Sequence, residues 1–198
     1  MSLLIHFAVM PEAVDTLQSL KAIEIQSGYL YKFDRGHIVI SGMGNFAAAC
    51  AIARYGAEAT EVWNFGCAGS LKSTLNIGDI FEVSSVMHNP MLPDGIDNHS
   101  RKLYEMVHPP IVLAKEGVRL VSSEYPIHLP TFSAKLVSHA DLVDMEGYGV
   151  AQAAQRINVP CRQWKVVSDF CNLNGPELIQ KHLSLVSDVI RHKILTLS

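Results

Sequence analysis

Residues 36–45 read Gly-His-Ile-Val-Ile-Ser-Gly-Met-Gly-Asn, and an alanine-rich segment at 46–55 follows them directly. The apolar run predicts a buried strand, the two glycines a tight turn and the alanine-rich segment a helix. A similar start returns at 59–65, where a second apolar strand leads into a second glycine turn at 66–70. Such strand–turn–helix units are typical of α/β proteins with parallel strands.

The rest of the chain continues this alternation. Apolar runs predict further strands, and segments with helical spacing predict helices; the strands lie at 3–9, 78–83, 118–122 and 161–167, and the helices at 12–20, 147–156 and 176–195. We therefore expect an α/β fold with a largely parallel, mixed sheet covered by helices on both faces, in a single domain over residues 1–198. The proline-rich segment 88–110 predicts a long loop that serves as an active-site lid.

Composition limits the kinds of partner. The 198 residues are 48% hydrophobic and 18% charged, with a formal net charge of −3, which suits one domain with a substantial core. No block of lysine and arginine is present, so we expect no nucleic-acid partner. No apolar run approaches the roughly 20 residues that span a bilayer, so we expect no membrane segment. Small molecules are the expected partners.

Cysteines and histidines give no metal signal. The four cysteines form no Cys-x-x-Cys pair, which predicts reduced thiols in the cytoplasm rather than disulfides or zinc. The nine histidines have no metal-ligand spacing. We therefore expect no metal.

Three acidic residues lie where strands end or helices begin. Glu12 follows the first strand, Glu146 precedes the helix at 147–156, and Asp169 ends the strand at 161–167. Each alone is an ordinary helix-start or turn residue. Together, at the sheet edge where open α/β proteins bind ligands, they predict a site for acid–base chemistry.

Six motifs extend this pattern along the chain, at residues 8–13, 41–45, 64–71, 78–80, 143–147 and 167–169. In these motifs the chain resembles the purine nucleoside phosphorylase and uridine phosphorylase superfamily, and within it the 5′-methylthioadenosine/S-adenosylhomocysteine nucleosidase branch. The resemblance implies a three-layer α/β/α sandwich and a homodimer. It also implies hydrolysis of the N-glycosidic bond of adenine nucleosides, with neither a metal nor an organic cofactor.

The resemblance also assigns roles by position. Glu12 corresponds to the base that deprotonates the attacking water, and Glu146 to the carboxylate that holds the ribose hydroxyls. Asp169 corresponds to the acid that delivers a proton to purine N7, steadied by Ser168. Met145 corresponds to a residue that lines the ribose pocket.

Further substrate contacts are expected from two segments. The glycine-rich segment places the backbone of Cys67, Ala68 and Gly69 at the crevice, because glycine permits close approach. Cys67 itself has no identifiable histidine partner and is expected to be a filler rather than a nucleophile. Tyr125, Pro126 and Ile127 are the candidate purine wall, with Ile127 as the contact residue.

Water is the expected nucleophile. Where the hexameric bacterial-type phosphorylases of this superfamily carry an arginine before the glycine segment, this chain has Asn64. Asparagine cannot neutralise phosphate. Arg35, Arg54 or an arginine from a partner subunit remain alternatives.

Other interpretations stay open. The chain is some tens of residues shorter than usual for this branch, with the shortening around residues 88–130, where the 5′ pocket is built. A nucleosidase for futalosine or aminodeoxyfutalosine is therefore the closest alternative. A nucleoside-binding protein without turnover is another. A regulator with a phosphoacceptor at Asp79 or Asp169 is remote, because it lacks an acidic cluster near the first strand.

Overall fold

The computed structural model describes residues 2–197 and contains ten strands and six helices in that range. The strands are β1 (Leu3–Phe7), β2 (Ile23–Gln26), β3 (Leu30–Phe33), β4 (Gly36–Ile40), β5 (Glu61–Ser70), β6 (Ile80–His88), β7 (Ile111–Val112), β8 (Val118–Ser122), β9 (Leu142–Asp144) and β10 (Cys161–Asp169). The helices are α1 (Met10–Ser19), α2 (Asn45–Tyr55), α3 (Asn98–Val107), α4 (Pro130–Leu136), α5 (Gly147–Arg156) and α6 (Gly175–Leu197).

All of these strands belong to one mixed sheet. Its centre is parallel, in the order β4–β1–β5–β10. The hairpin of β2 and β3 extends it beyond β4 with antiparallel pairing. On the other side β9, β8 and β6 lead from β5 back to β10, so this part of the sheet closes on itself. The parallel centre brings four strand ends to one edge.

Helices cover both faces of the sheet. The side chains of Leu3, Ile5 and Phe7 on β1 pack in a core cluster with residues of α1 and α6. Leu4, between them, packs on the opposite face with residues of α2 and α5. This alternation follows from the two-residue period of a strand. The three-layer α/β/α sandwich expected from the sequence is confirmed.

The predicted long loop at 88–110 is wrong in its second half, where α3 forms. The carboxylate of Asp97 caps this helix by accepting hydrogen bonds from the backbone N–H groups of His99 and Ser100, at 2.8 and 2.9 Å. No residue of α3 is buried. Prolines on both sides of the helix had suggested an irregular segment throughout.

The predicted glycine turn at 66–70 is also wrong, because β5 continues to Ser70. The glycines serve close packing instead. A Cβ on Gly66 would lie 3.3 Å from both Glu12 Oε1 and Lys165 Nζ. A Cβ on Gly69 would lie 2.5 Å from Cys171 Sγ. The backbone of β5 therefore passes directly beneath the side chains of Glu12, Lys165 and Cys171.

Candidate active site

A cavity of about 520 Å³ opens where the parallel strands end. Its lining comes from the segment after β1, the second half of β5, the segment between β8 and α4, the end of β9 with the turn into α5, the end of β10 and the first turns of α6, together with Met43. This is the edge at which open α/β sheets bind ligands. The volume falls within the range of small-molecule sites, about 300–1,000 Å³.

The structure brings every residue that the sequence analysis assigned to the site to this cavity. They are Glu12, Cys67, Ala68, Gly69, Ile127, Met145, Glu146, Ser168 and Asp169. Tyr125 and Pro126, the other candidates for the purine wall, line it too. The individual roles stay predictions.

Glu12 is held by backbone groups in the first turn of α1. It is buried, and its Oε1 accepts a hydrogen bond from the Cys67 N–H at 2.8 Å. Its Oε2 is 3.4 Å from the Val9 N–H, the longer of the two contacts. The carboxylate therefore has a fixed orientation at the cavity, as a general base requires.

Glu146 lies at the N-cap position of α5 and is also buried. Its Oε1 accepts a hydrogen bond from the Gly44 N–H at 2.8 Å. Gly44 has φ +100°, a conformation that favours glycine. Burial, and then the negative charge of Asp144, raise the pKa of Glu146 from 4.5 to about 7. This carboxyl group therefore titrates near neutral pH.

Asp169 ends β10 with both oxygens engaged. Its Oδ2 accepts a hydrogen bond from Ser168 Oγ at 2.9 Å, and its Oδ1 accepts one from the Cys171 N–H at 2.8 Å. Gly69 on the neighbouring strand leaves room for this side chain, since a Cβ there would lie 3.0 Å from Oδ1. Ser168 is thus in contact with Asp169, and its role in steadying a catalytic acid stays a prediction.

A buried lysine compensates part of this negative charge. The Lys165 Nζ lies 2.8 Å from Asp144 Oδ2, with the two side chains 2% and 0% exposed. The Gly147 N–H donates to the same Oδ2 at 2.8 Å. Burial lowers the pKa of Lys165, but Asp144 and then Glu146 more than offset this and raise the pKa above its ordinary value. Lys165 is therefore a permanent cation beneath the cavity.

The two thiols at the cavity are protonated. Burial, followed by the nearby Glu12 carboxylate, raises the pKa of Cys67 well above 9.0. Burial, followed by Asp169, raises the pKa of Cys171 to about 12. Because the thiolate is the nucleophilic form of cysteine, neither side chain is suited to covalent catalysis.

Asn64 does not line the cavity. It is fully buried on β5, with Oδ1 2.9 Å from His6 Nδ1 and Nδ2 donating to Gln163 Oε1 at 3.1 Å. Burial lowers the pKa of His6 to about 4, so the ring is neutral. Asn64 belongs to a polar chain that links neighbouring strands, and it makes no contact with the site.

The described lining of the cavity carries an excess of acidic side chains. Of the described residues that line it, none is arginine or lysine, whereas four are carboxylates: Glu12, Asp144, Glu146 and Asp169. Arg35 lies over the ring of Trp63, and Arg54 over that of Tyr55, both outside the lining. Charge repulsion in such a site disfavours a phosphate co-substrate.

The sequence analysis missed several parts of the site. Met43, His128 and Cys171 line the cavity, as do Ile179 and Leu183 of α6. The helical spacing of α6 was recognised, but nothing in it showed which stretch faces a ligand rather than the core. Lys165 was missed because it stands between valine and tryptophan in an apolar strand.

Two further features are absent from the part of the chain that the structure describes. Within residues 2–197, no group of three or more histidine, cysteine, aspartate or glutamate side chains is arranged to hold a metal ion. Over the same residues, no helix has both the length and the apolarity to cross a membrane.

The chain has the nucleoside phosphorylase-like α/β/α fold, so the resemblance expected from the six motifs is confirmed at the level of the fold. The solved structures that it matches include 5′-methylthioadenosine/S-adenosylhomocysteine nucleosidases (MTAN). A variant of the Chlamydia trachomatis MTAN bound to 5′-methylthioadenosine (MTA) has a TM-score of 0.80 at 19% identity. The match covers 100% of this chain and 97% of that one.

Two further structures give similar agreement. The Colwellia psychrerythraea MTAN in complex with adenine has a TM-score of 0.77 at 22% identity, over 96% of this chain and 93% of the other. The Helicobacter pylori futalosine hydrolase has a TM-score of 0.72 at 20% identity, over 96% of each chain. No family model and no curated protein matches the chain.

Proposed function

We propose that the protein hydrolyses the N-glycosidic bond of adenine nucleosides substituted at the 5′ position. 5′-Methylthioadenosine, S-adenosylhomocysteine or aminodeoxyfutalosine would be cleaved to free adenine and a ribose derivative. The observation that carries this proposal is the meeting of Glu12, Glu146 and Asp169 in one cavity whose described lining has no cation. The solved nucleosidases of the same fold support it.

The chemistry divides into three tasks. Asp169 donates a proton to purine N7, so that the base leaves as a neutral molecule. Glu12 takes a proton from the attacking water, and its hydrogen bond from the Cys67 N–H keeps it aimed at the cavity. The nearby carboxylates stabilise the positive charge that develops on the sugar in the transition state.

Glu146 binds the ribose in this mechanism. An ionised carboxylate accepts hydrogen bonds from two hydroxyl groups, whereas the protonated form accepts them poorly. Because the pKa of Glu146 is raised to about 7, substrate binding requires the loss of this proton. The backbone N–H of Gly44 holds one oxygen in place and leaves the other for the sugar.

A base-release assay tests the proposal. Free base is measured by chromatography after incubation with each candidate nucleoside, with and without phosphate. We expect release of adenine at a rate that phosphate does not change. Release only with phosphate would make the protein a phosphorylase, and binding without release would make it a nucleoside-binding protein.

A futalosine hydrolase that releases hypoxanthine is the second candidate. The matching Helicobacter pylori structure supports it. The same assay with futalosine decides between the two, because preferential release of hypoxanthine from futalosine would favour this second function.

The predicted homodimer has support near the cavity. Met43, which lines the cavity, is 69% exposed, and Phe46 on α2 is 81% exposed. A second copy that covers this patch would remove both side chains from water. Sedimentation of the wild type and of Phe46→Asp tests this, and we expect a dimer that the aspartate weakens. A monomeric wild type would contradict it.

A further inference from the structure

His128 lines the cavity and has a ring nitrogen without a partner. It lies between β8 and α4 and is half-buried. Its Nδ1 is shielded from solvent and has no hydrogen-bond partner among the described residues. No hydrogen bond from the described residues holds Nδ1 in this position, so the ring is free to turn it toward a ligand in the cavity.

Gly175 sets the position of this nitrogen beside Asp169. A Cβ built on Gly175 would meet His128 Nδ1 at 2.7 Å and Asp169 Oδ1 at 3.3 Å. The two atoms therefore flank the same point at the start of α6, and a side chain at position 175 would push them apart. A ligand that reaches Asp169 also meets the ring of His128.

We infer that His128 is a specificity-determining residue that contacts the substituent at purine position 6, and that it admits both amino and oxo bases. This inference rests on the proposed function, in which Asp169 faces N7. Position 6 adjoins N7 on the same edge of the purine. The group next to Asp169 along the cavity wall is therefore placed to meet that substituent.

The chemistry of imidazole explains the double acceptance. The neutral ring has one donor and one acceptor nitrogen, and the proton sits on either. An acceptor nitrogen receives a hydrogen bond from the amine of adenine, and a donor N–H gives one to the carbonyl of hypoxanthine. Turning Nδ1 toward the base breaks no hydrogen bond, because it has none in the protein.

The test compares 5′-methylthioadenosine with 5′-methylthioinosine, which differ only at position 6. For the wild type we expect kcat/KM values within about tenfold of each other, whereas a site built to hydrogen-bond one group alone discriminates by about 10⁴–10⁵. His128→Asp leaves only an acceptor, so the ratio should move toward the adenine substrate by about 10²-fold or more. His128→Lys leaves only donors and should move it the other way.

His182→Asp is the matched control. His182 lies on α6 with an Nδ1 that is likewise buried and unpartnered, but it does not line the cavity. Its substitution should leave the ratio of the two substrates unchanged. The inference is overturned if His128→Asp lowers kcat/KM equally for both substrates. It is also overturned if the wild-type kcat/KM values for the two substrates differ by more than about 10³.

A separate binding experiment distinguishes failure of the inference about His128 from failure of the proposed function. If no variant releases base from either nucleoside, the proposed function fails. Calorimetric titration of the wild type and His128→Asp with free adenine and free hypoxanthine then decides about His128. The inference stands if the wild type binds both bases and the variant loses hypoxanthine alone, and it falls with any other result.

Discussion

Replacing Lys165 with methionine is expected to destabilise the protein strongly. Methionine keeps the length and the apolar volume of the lysine side chain but removes its charge. The Asp144 carboxylate, fully buried and 2.8 Å from the lysine Nζ, would then keep its negative charge without its cation. Glu146 beside it would lose the same compensation.

The magnitude follows from the burial of the pair. Removing one partner of a buried ion pair costs about 3–5 kcal/mol. In a chain of this size each kcal/mol lowers the Tm by about 2–4 °C, so we expect a fall of about 6–20 °C. Lys72→Met is the matched control, because the Lys72 Nζ lies 3.6 Å from Asp141 Oδ1 with side chains 33% and 23% exposed. Such a surface pair contributes about 1 kcal/mol or less.

Thermal unfolding of both variants measures the difference. The double variant Lys165→Met/Asp144→Asn should recover part of the loss, because it leaves no buried charge in the pair. In enzyme assays, the acid limb of kcat/KM should move to higher pH in Lys165→Met, since Lys165 lowers the pKa of Glu146. If Lys165→Met unfolds within about 4 °C of the wild type, as the control should, the electrostatic role of this lysine is refuted.

Three further predictions test the site. Glu12→Gln should lower kcat by about 10²-fold or more and leave the Kd for adenine unchanged, because a general base is lost; kcat near wild type would exclude that role. The pKa of Glu146 is raised in the folded state from 4.5 to about 7, so its contribution to stability is complete below about pH 4.5 and is lost as the pH rises through 7. Denaturant titrations should therefore show a shallower decline in the free energy of unfolding over this range for Glu146→Gln than for the wild type, and equal slopes would contradict the shift. Gly69→Ala should lower turnover more than tenfold, since its Cβ would lie 2.5 Å from Cys171 Sγ and 3.0 Å from Asp169 Oδ1. Adding Cys171→Ala removes the first clash and should restore part of the rate, whereas no recovery would place the cause elsewhere.

The sequence predicted the layers of the fold because buried parallel strands and amphipathic helices have distinct periods. It missed the hairpin of β2 and β3, in which every residue of β2 is exposed. Its sequence, Ile-Glu-Ile-Gln, alternates apolar and polar residues as a strand does, but the alternation spans only four residues. The helix α3 was missed because prolines flank it on both sides, although Leu103, Met106 and Val107 follow helical spacing.

The acidic site residues were predictable because they stand at positions that the topology repeats. Glu12 and Glu146 follow a strand, and Asp169 ends one, at the ligand-binding edge. Lys165 and His128 have no such marker. Their importance depends on which side chains lie across the sheet or across α6, and contacts of this kind are set by tertiary packing rather than by local sequence.

Asn64 does not lie where the expectation of water as the nucleophile had placed it. Its identity suggested that no phosphate pocket exists, on the premise that this position faces the substrate. In the structure its side chain points into a buried chain between His6 and Gln163. To face the substrate, an arginine at this position would have to point away from this row of hydrogen-bonded side chains. His6 and Gln163 would then each lose a hydrogen bond. It is the cavity as a whole that disfavours a phosphate dianion, because among the described residues four carboxylates and neither a lysine nor an arginine line it.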